Sequence, residues 1–181
     1  RRRIRIRRTS NRVNKELDLN FYIMNSHHTV AIGTWEADKQ QSIEYNSSIA
    51  VGIDCPRAKL RVSILLDTIQ EYQVRYIFSD EEISEAVNEA GLIIGARGIA
   101  YEGVLQRKPV IVVGEYGFGG LVTPDTLHEQ YNNYFRGKIN GIKAEYFSLE
   151  RLEEEIRRGF ALTFQELQMM SNQTIRFLHN I

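Results

Sequence analysis

Two groups of glycines in this chain follow short apolar runs and could bring the main chain close to a ligand. Gly95 and Gly98 come after the run 91–94, and a second group after the run 109–113 consists of Gly117, Gly119 and Gly120. Glycine lets the backbone approach a bound group closely, and free N–H groups at a helix start can bind a diphosphate. Arg97, between the first two glycines, could hold a phosphate with its guanidinium group. The alternatives are turn geometry alone for the glycines and an exposed loop cation for Arg97.

Alternating strands and helices would have to position these residues. Apolar runs predict strands at 49–53, 74–78, 91–94 and 109–113, and helical patterns lie between them at 57–72, from Ser79 onwards and at 99–107. This alternation is typical of α/β proteins whose parallel strands are joined by right-handed crossovers. We therefore expect an α/β fold with a doubly wound parallel sheet. Its ligand site should lie in the crevice beyond the carboxyl ends of the strands, where both glycine groups fall.

The last part of the chain predicts two helices. Ser148 is a suitable N-cap for the first helix, and Gly159 is expected to interrupt it before a last helix over 160–181. The first of these helices also contains two pairs of opposite charge at (i, i+4) spacing, Glu153–Arg157 and Glu154–Arg158. Such pairs favour a solvated helix face rather than a site.

The segment GARGIAYEGVLQRKPVIVVGE, followed by GFGGLV, resembles the donor-binding half of GT-B glycosyltransferases. That family has a glycine turn, a helix carrying a glutamate, a Gly/Lys-Pro-Val strand and a Gly-Gly loop. The segment VRYIFSDEEISEAVNEAGLIIG is similar to the unit that precedes them, so the resemblance covers residues 74–125. It implies a Rossmann-like donor-binding domain over residues 49–181, with a closing C-terminal helix.

The resemblance also implies roles for individual residues. Glu102 would hold the donor ribose through its carboxylate, or else be a surface helix residue. Phe78 and Ser79 would lie near the nucleobase. The diphosphate and sugar would contact Gly95, Arg97, Gly98, Gly117, Gly119 and Gly120. The substrate would be a nucleotide-sugar, with no cofactor and no metal, and the acceptor would be an unknown glycan, lipid or polymer.

The chain departs from the family in several places. Many retaining members carry a second glutamate, with seven residues between it and the ribose glutamate, and that position is Ile94 here. The cations that neutralise the leaving diphosphate would have to come from Arg57, Lys59 or Arg61. An acceptor domain has no room in 181 residues, so we expect one to be missing. No catalytic residue is assigned, and the alternative is a non-catalytic nucleotide-binding or regulatory module on the same scaffold.

Residues 1–48 form an N-terminal segment with few clear signals. The first twelve residues include seven arginines and no acid. They could form an edge strand, with Ile4 and Ile6 facing inward, or a basic arm for nucleic acid, anionic lipid or a phosphorylated substrate. A basic arm would suit an interaction protein. We expect no nucleic-acid partner, because the arm has no aromatic residue for base stacking and the formal net charge of the chain is zero.

Metal, redox and membrane signals are weak. His27 and His28 would need further ligands to form a zinc site, and Asp54 and Cys55 are the candidates; the alternative is a pair of polar loop histidines. The single cysteine cannot form an internal disulfide, which favours a reducing compartment. No apolar run approaches the roughly 20 residues of a membrane span. We expect a cytoplasmic protein, with peripheral membrane association as an open alternative.

Overall fold

A computed structural model describes residues 47–139 and 141–179 of the chain. The arginine-rich residues 1–12 and the histidine pair at 27–28 lie outside these residues, so the interpretations based on them stay predictions. Within the described residues the protein is α/β, with a five-stranded, mostly parallel sheet and six α-helices.

The sheet confirms the four predicted strands, with shifts of one or two residues at their ends, and adds a fifth. In chain order the strands are β1 (Ser48–Gly52), β2 (Gln73–Tyr76), β3 (Leu92–Gly95), β4 (Val110–Gly114) and β5 (Gly117–Leu121). Their order across the sheet is β2-β1-β3-β4-β5, and the first four strands are parallel. The predicted parallel pairing of β3 with β4 places Ile93 opposite Val110.

The second glycine group forms strand β5 instead of the predicted loop. β5 runs antiparallel to β4, with Ile111 opposite Leu121. Glycine weakens a strand because it has no side chain to pack, so the sequence alone favours a loop here. Contacts with distant helices stabilise the strand. The Gly119 carbonyl accepts a hydrogen bond from Gln130 Nε2 (2.9 Å), and the Leu121 N–H donates to Glu155 Oε2 (3.0 Å).

The conformation of individual residues explains where two of the helices begin or end. The helices are α1 (Pro56–Ile69), α2 (Ile83–Glu89), α3 (Gly98–Leu105), α4 (Leu127–Asn132), α5 (Leu149–Phe160) and α6 (Phe164–His179). α1 begins with a proline, whose missing N–H costs nothing at the first helical position. It ends before Gln70, which adopts a left-handed conformation (φ 52°), and α3 is followed by Arg107 with φ 60°. Both helices are therefore shorter than their apolar patterns predict.

Buried side chains from the central strands pack on both sides of the sheet. Ile49 of β1 and Ile94 of β3 belong to one apolar cluster together with buried residues of α1 and α5. On the other side, Gly103 of α3 lies against Ile93 and Val110, where an added Cβ would come 2.7 Å from Val110 Cγ2. These contacts hold α1 and α3 against the strands that they follow.

The break between the last two helices corrects the prediction for Gly159. Gly159 lies inside α5, where an added Cβ would come 2.7 Å from Leu92 Cδ1, so close packing explains the glycine. α5 is capped by Ser148 as predicted. The interruption falls at 161–163, and α6 begins with a capping box. The Thr163 N–H donates to Glu166 Oε2 (2.8 Å), and the Glu166 N–H donates to Thr163 Oγ1 (3.3 Å).

The acidic run of α5 is a solvated face at Glu153 and Glu154, as predicted, but its third member, Glu155, is buried. Glu155 is 1% exposed, and its carboxylate faces β5. Its Oε1 lies 2.6 Å from Arg151 Nη2 and 3.3 Å from Arg158 Nη1. These pairs occur in α5 instead of the predicted Glu153–Arg157 and Glu154–Arg158. Spacing along one helix does not reveal which side a neighbouring strand will cover.

Candidate functional site

The strand order changes direction between β1 and β3. β2 lies on one side of β1, whereas β3 and then β4 lie on the other. The two central strands end together, because Gly52 of β1 is opposite Gly95 of β3. Helix α1 then begins at Pro56 and helix α3 at Gly98. In open α/β sheets, ligands bind in the crevice at such a point, beyond the carboxyl ends of the strands.

The glycines at these strand ends allow α3 to pack closely. An added Cβ on Gly95 would collide with the carbonyl oxygen of Gly52 and lie 2.6 Å from Ile99 Cγ2. An added Cβ on Gly52 would lie 2.8 Å from Ile99 Cδ1. Buried Ile99 therefore fills the space that both glycines leave, which gives Gly95 a packing role. Gly98 begins α3 at the crevice itself.

Arg97 joins β3 to α3 in a backbone conformation that L-residues rarely adopt. Its φ is 54° and its ψ is −125°. As the N-cap of α3 it accepts the Tyr101 N–H on its carbonyl (2.9 Å), and its own N–H donates to the Phe135 carbonyl (3.1 Å). Residues in such sparsely populated regions cost about 1–3 kcal/mol each and cluster at functional sites. The fold thus holds Arg97 in a strained conformation at the switch point of the sheet, the place where the strand order changes direction between β1 and β3.

Four charged side chains meet beyond the strand ends. Arg97 Nη2 lies 2.8 Å from Glu115 Oε2, and Arg97 Nε lies 3.7 Å from Asp54 Oδ2. The other oxygen of Glu115, Oε1, lies 3.3 Å from Arg136 Nε. Asp54, Arg97 and Glu115 follow β1, β3 and β4, so the parallel strands bring them to one edge. Of the four residues, Arg97 is the one that the sequence predicts for an anion.

The main chain of Phe135 and Arg136 fixes this arrangement. The Phe135 carbonyl accepts the Arg97 N–H, and the Arg136 carbonyl accepts the Tyr116 N–H (2.9 Å) from the turn between β4 and β5. Phe135 is fully buried and makes an edge-to-face contact with the Tyr101 ring, with 4.6 Å between centroids. Burial raises the pKa of the Tyr101 hydroxyl, which stays neutral in this packing. No strand or motif marks Arg136 in the sequence, so reading the sequence misses it.

Glu102 lies one turn into α3, on the helix that begins at the crevice. It is 8% exposed, and its Oε1 accepts a hydrogen bond from Gln106 Nε2 (2.6 Å). The alternative of a solvated helix residue is therefore wrong. Glu102 is about 6 Å along the helix axis from Gly98, at 1.5 Å of rise per residue. A ligand that contacts both positions must extend beyond a single phosphate group.

The second glycine group does not lie together at the crevice. Gly117 (φ 115°) begins β5 beside the turn that carries Glu115. Gly119 and Gly120 follow along the strand, which rises about 3.3 Å per residue away from that edge. An added Cβ would meet the Gln130 amide at Gly119 and the Glu155 carboxylate at Gly120. Gly117 thus shares an edge with Arg97, while ligand contacts of Gly119 and Gly120 stay predictions.

Phe78 follows β2 at the same edge of the sheet. The residue is 79% exposed, and Lys59 Nζ lies 4.0 Å from the ring centroid. An exposed ring of this kind offers a face on which a nucleobase can stack. Ser79 is the N-cap of the 3₁₀ turn Asp80–Glu82, and the Phe78 N–H donates to Glu82 Oε2 (3.3 Å).

The three cations proposed for a leaving diphosphate differ in their surroundings. The Arg61 guanidinium donates two hydrogen bonds to the Phe147 carbonyl, from Nη2 (2.8 Å) and Nε (3.0 Å), which gives it a structural role. Arg57 is largely exposed and lies 4.0 Å from Glu145. Arg57 and Lys59 both lie near the start of α1, the helix that begins beyond the end of β1.

Comparison with known proteins does not assign a function to this crevice. No protein-family model matches the chain, and no curated protein sequence matches it. Over residues 47–139 and 141–179, no group of three or more His, Cys, Asp and Glu side chains is arranged to hold a metal ion. In the same part of the chain, no helix combines the length and the apolar character that a bilayer span requires.

Proposed function

We propose that this chain contains the donor-binding domain of a GT-B-type glycosyltransferase, which holds a nucleotide-sugar and transfers its sugar to an acceptor. One observation carries the proposal. At the switch point between β1 and β3, strained Arg97 stands at the start of α3, and the buried carboxylate of Glu102 lies one turn further on. This order of groups matches the order of phosphate and ribose in a nucleoside diphosphate.

We also propose that the sheet is doubly wound and Rossmann-like, with α6 as its closing helix. Two contacts on opposite sides of β3 support the first part, since Ile94 packs with α1 and α5 whereas Ile93 packs under Gly103 of α3. The packing of α6 on α3 supports the second. There, Ser171 Oγ of α6 donates a hydrogen bond to the Leu105 carbonyl at the end of α3 (2.9 Å).

The groups of the crevice suit each part of such a donor. The diphosphate would accept hydrogen bonds from the N–H groups at the start of α3 and from the Arg97 guanidinium. Ribose hydroxyls would donate to Glu102, and the base would stack near Phe78. As the sugar leaves, negative charge builds up on the nucleoside diphosphate. Cations and N–H groups that are already oriented stabilise that charge without reorganisation.

A non-catalytic nucleotide-binding or regulatory module is the second candidate, and Ile94 favours it. The resemblance to GT-B enzymes calls for an acid at this position in retaining members. Ile94 is fully buried in β3 and belongs to the apolar cluster beneath α1 and α5. A carboxylate there would lie in the core without a polar partner, which is costly. Position 94 of this chain therefore favours an apolar residue over an acid.

Nucleotide binding tests both candidates at once. We expect the diphosphates of uridine, guanosine or adenosine to raise the unfolding temperature along a saturating curve, since a ligand stabilises by RT ln(1 + [L]/Kd). The matching monophosphates should bind more weakly. The absence of any shift with these nucleotides at millimolar concentration would contradict both candidates. Release of nucleoside diphosphate from a bound nucleotide-sugar by this chain would then favour the enzyme over the module, whereas no release is expected of either candidate while the acceptor domain is missing.

Glu102→Gln tests the ribose contact. The substitution keeps the size of the side chain and removes its charge, so affinity for the nucleoside diphosphate should fall by roughly 1.5–3 kcal/mol, or about tenfold to 150-fold. Glu155→Gln is the matched control, because Glu155 is also a buried carboxylate but lies under β5, toward the opposite edge of the sheet. It should lower stability and leave affinity unchanged. Equal affinities in folded Glu102→Gln and wild-type protein would remove Glu102 from the site.

A further inference from the structure

We propose that Arg97 and Arg136 form a two-arginine site for the diphosphate of the ligand, and that Glu115 occupies this site as a built-in competitor when no ligand is bound. The nature of the anion rests on the proposed function above. Arg136 and Glu115 are additional to the residues that the proposed function uses.

The Glu115 carboxylate already behaves as the anion of this site. Its Oε2 lies 2.8 Å from Arg97 Nη2, and its Oε1 lies 3.3 Å from Arg136 Nε. One anion thus bridges two guanidinium groups with two oxygens. A phosphate presents a similar pair of oxygens and carries more charge, so it could replace the carboxylate and meet both arginines.

Main-chain and ring contacts hold the two arginines in place. The Arg97 N–H is bonded to the Phe135 carbonyl, and the next carbonyl, that of Arg136, is bonded to the Tyr116 N–H. The Arg136 guanidinium also lies 6.0 Å from the Tyr116 ring centroid and 5.7 Å from that of Tyr134. An anion that enters therefore meets two arginines whose backbones are fixed, one of them with its guanidinium placed beside two rings, which lowers the entropic cost of binding.

Glu115 is the member of the cluster that can leave at little cost. It belongs to the short turn between β4 and β5, and its side chain is 41% exposed. Ion pairs with this exposure are weak because water solvates both partners. Once Glu115 turns to solvent, the two arginines can make charge-assisted hydrogen bonds to a phosphate, which are stronger.

The competing acids also explain how the site could select its ligand. With Asp54 and Glu115 beside the two arginines, the charges of the cluster sum to zero. A free phosphate must displace a carboxylate and gains no contact for a base or a ribose. A nucleoside diphosphate gains contacts for its base and ribose as well. Glu115 would therefore discriminate against small inorganic anions.

Two substitutions in the full chain test this proposal, with inorganic pyrophosphate and uridine diphosphate as probes in isothermal titration. Glu115→Gln should tighten pyrophosphate binding by about twofold to fivefold, the upper part of the range that exposed ion pairs contribute. Arg136→Gln should weaken the binding of both probes by about tenfold or more, because it removes a charge-assisted hydrogen bond. Thermal unfolding without ligand establishes that each variant is folded.

Matched controls remove the same charges elsewhere. Glu154 pairs with Arg151 on α5 (3.2 Å), and Arg75 of β2 pairs with Glu85 (3.2 Å) and Glu89 (2.7 Å). Glu154→Gln and Arg75→Gln change the net charge as the test variants do. They should leave both affinities within about twofold of wild type, as surface substitutions normally do.

The outcomes separate this proposal from the proposed function. Weaker pyrophosphate binding by Glu115→Gln would overturn the competitor role, and no effect of Arg136→Gln would overturn the two-arginine site. If uridine diphosphate binds but neither substitution matters, the proposal fails and the proposed function survives. If both substitutions alter pyrophosphate binding but no nucleotide binds, the proposal survives and the proposed function fails. The absence of pyrophosphate binding even in Glu115→Gln would also overturn the proposal.

Discussion

Replacing Arg97 by glycine should separate the effect of its strained backbone on stability from the effect of losing its charge. Arg97 has φ 54° and ψ −125°, a conformation that glycine adopts without steric cost. Arg97→Ala removes the same guanidinium group and the same ion pairs but keeps a Cβ in the strained conformation. Comparing the two variants therefore isolates the backbone contribution to stability.

The expected difference follows from two opposing effects. Relief of the strained conformation should favour the glycine variant by about 1–3 kcal/mol. The larger conformational freedom of glycine in the unfolded chain opposes this by about 0.4–1 kcal/mol. The glycine variant should therefore be more stable than the alanine variant by about 1–2 kcal/mol. In a chain of this size that corresponds to about 3–6 °C in unfolding temperature. At an ordinary position the order is reversed.

Urea unfolding and nucleotide titration of both variants test this reasoning. Both should lose affinity for the nucleoside diphosphate to the same extent, because both lack the guanidinium group. Arg107 provides the control, since it also has positive φ (60°) but follows the far end of α3. Arg107→Gly should likewise be more stable than Arg107→Ala, with unchanged affinity. An alanine variant at 97 that equals or exceeds the glycine variant in stability would refute the argument from strain.

Three further predictions concern packing, the buried acid and a helix cap. Gly95→Ala should lower the free energy of unfolding by about 3 kcal/mol or more, because the added Cβ collides with the Gly52 carbonyl oxygen. Gly52→Ala should lower it by about 1–2 kcal/mol, because the Ile99 side chain that its Cβ meets can shift. Equal losses in denaturant unfolding would contradict this. Glu155→Ala should cost about 2–4 kcal/mol because it leaves a buried N–H of β5 without an acceptor, while Glu154→Ala should stay within about 0.5 kcal/mol; similar losses would count against the burial argument. Hydrogen bonds from Thr163 lower the pKa of Glu166 below its ordinary value of 4.5. The cap should therefore contribute its full stabilisation of the fold above pH 4.5 and lose it as the pH falls through the lowered pKa. If wild type and Glu166→Gln show the same pH dependence of unfolding, this role of the cap is wrong.

The sequence predicts the central part of the fold well, because buried parallel strands are continuous apolar runs. Its errors fall where a local signal competes with distant packing. Gly159 has the low helix propensity of glycine, but its contact with Leu92 keeps it inside α5. A better signal lay a few residues on, since Thr163 and Glu166 have the spacing of a capping box and mark the true start of α6.

The sequence by itself determined that the parallel strands end at one edge of the sheet, with Arg97 among the residues that follow them. Asp54, Arg97 and Glu115 each follow a strand, and parallel strands end at the same edge. Only the tertiary structure decided that Arg136 joins them and that Glu155 lies buried beneath β5. The physical reason is that strand ends follow from local hydrophobic patterns, whereas these two positions depend on contacts between segments far apart in the chain.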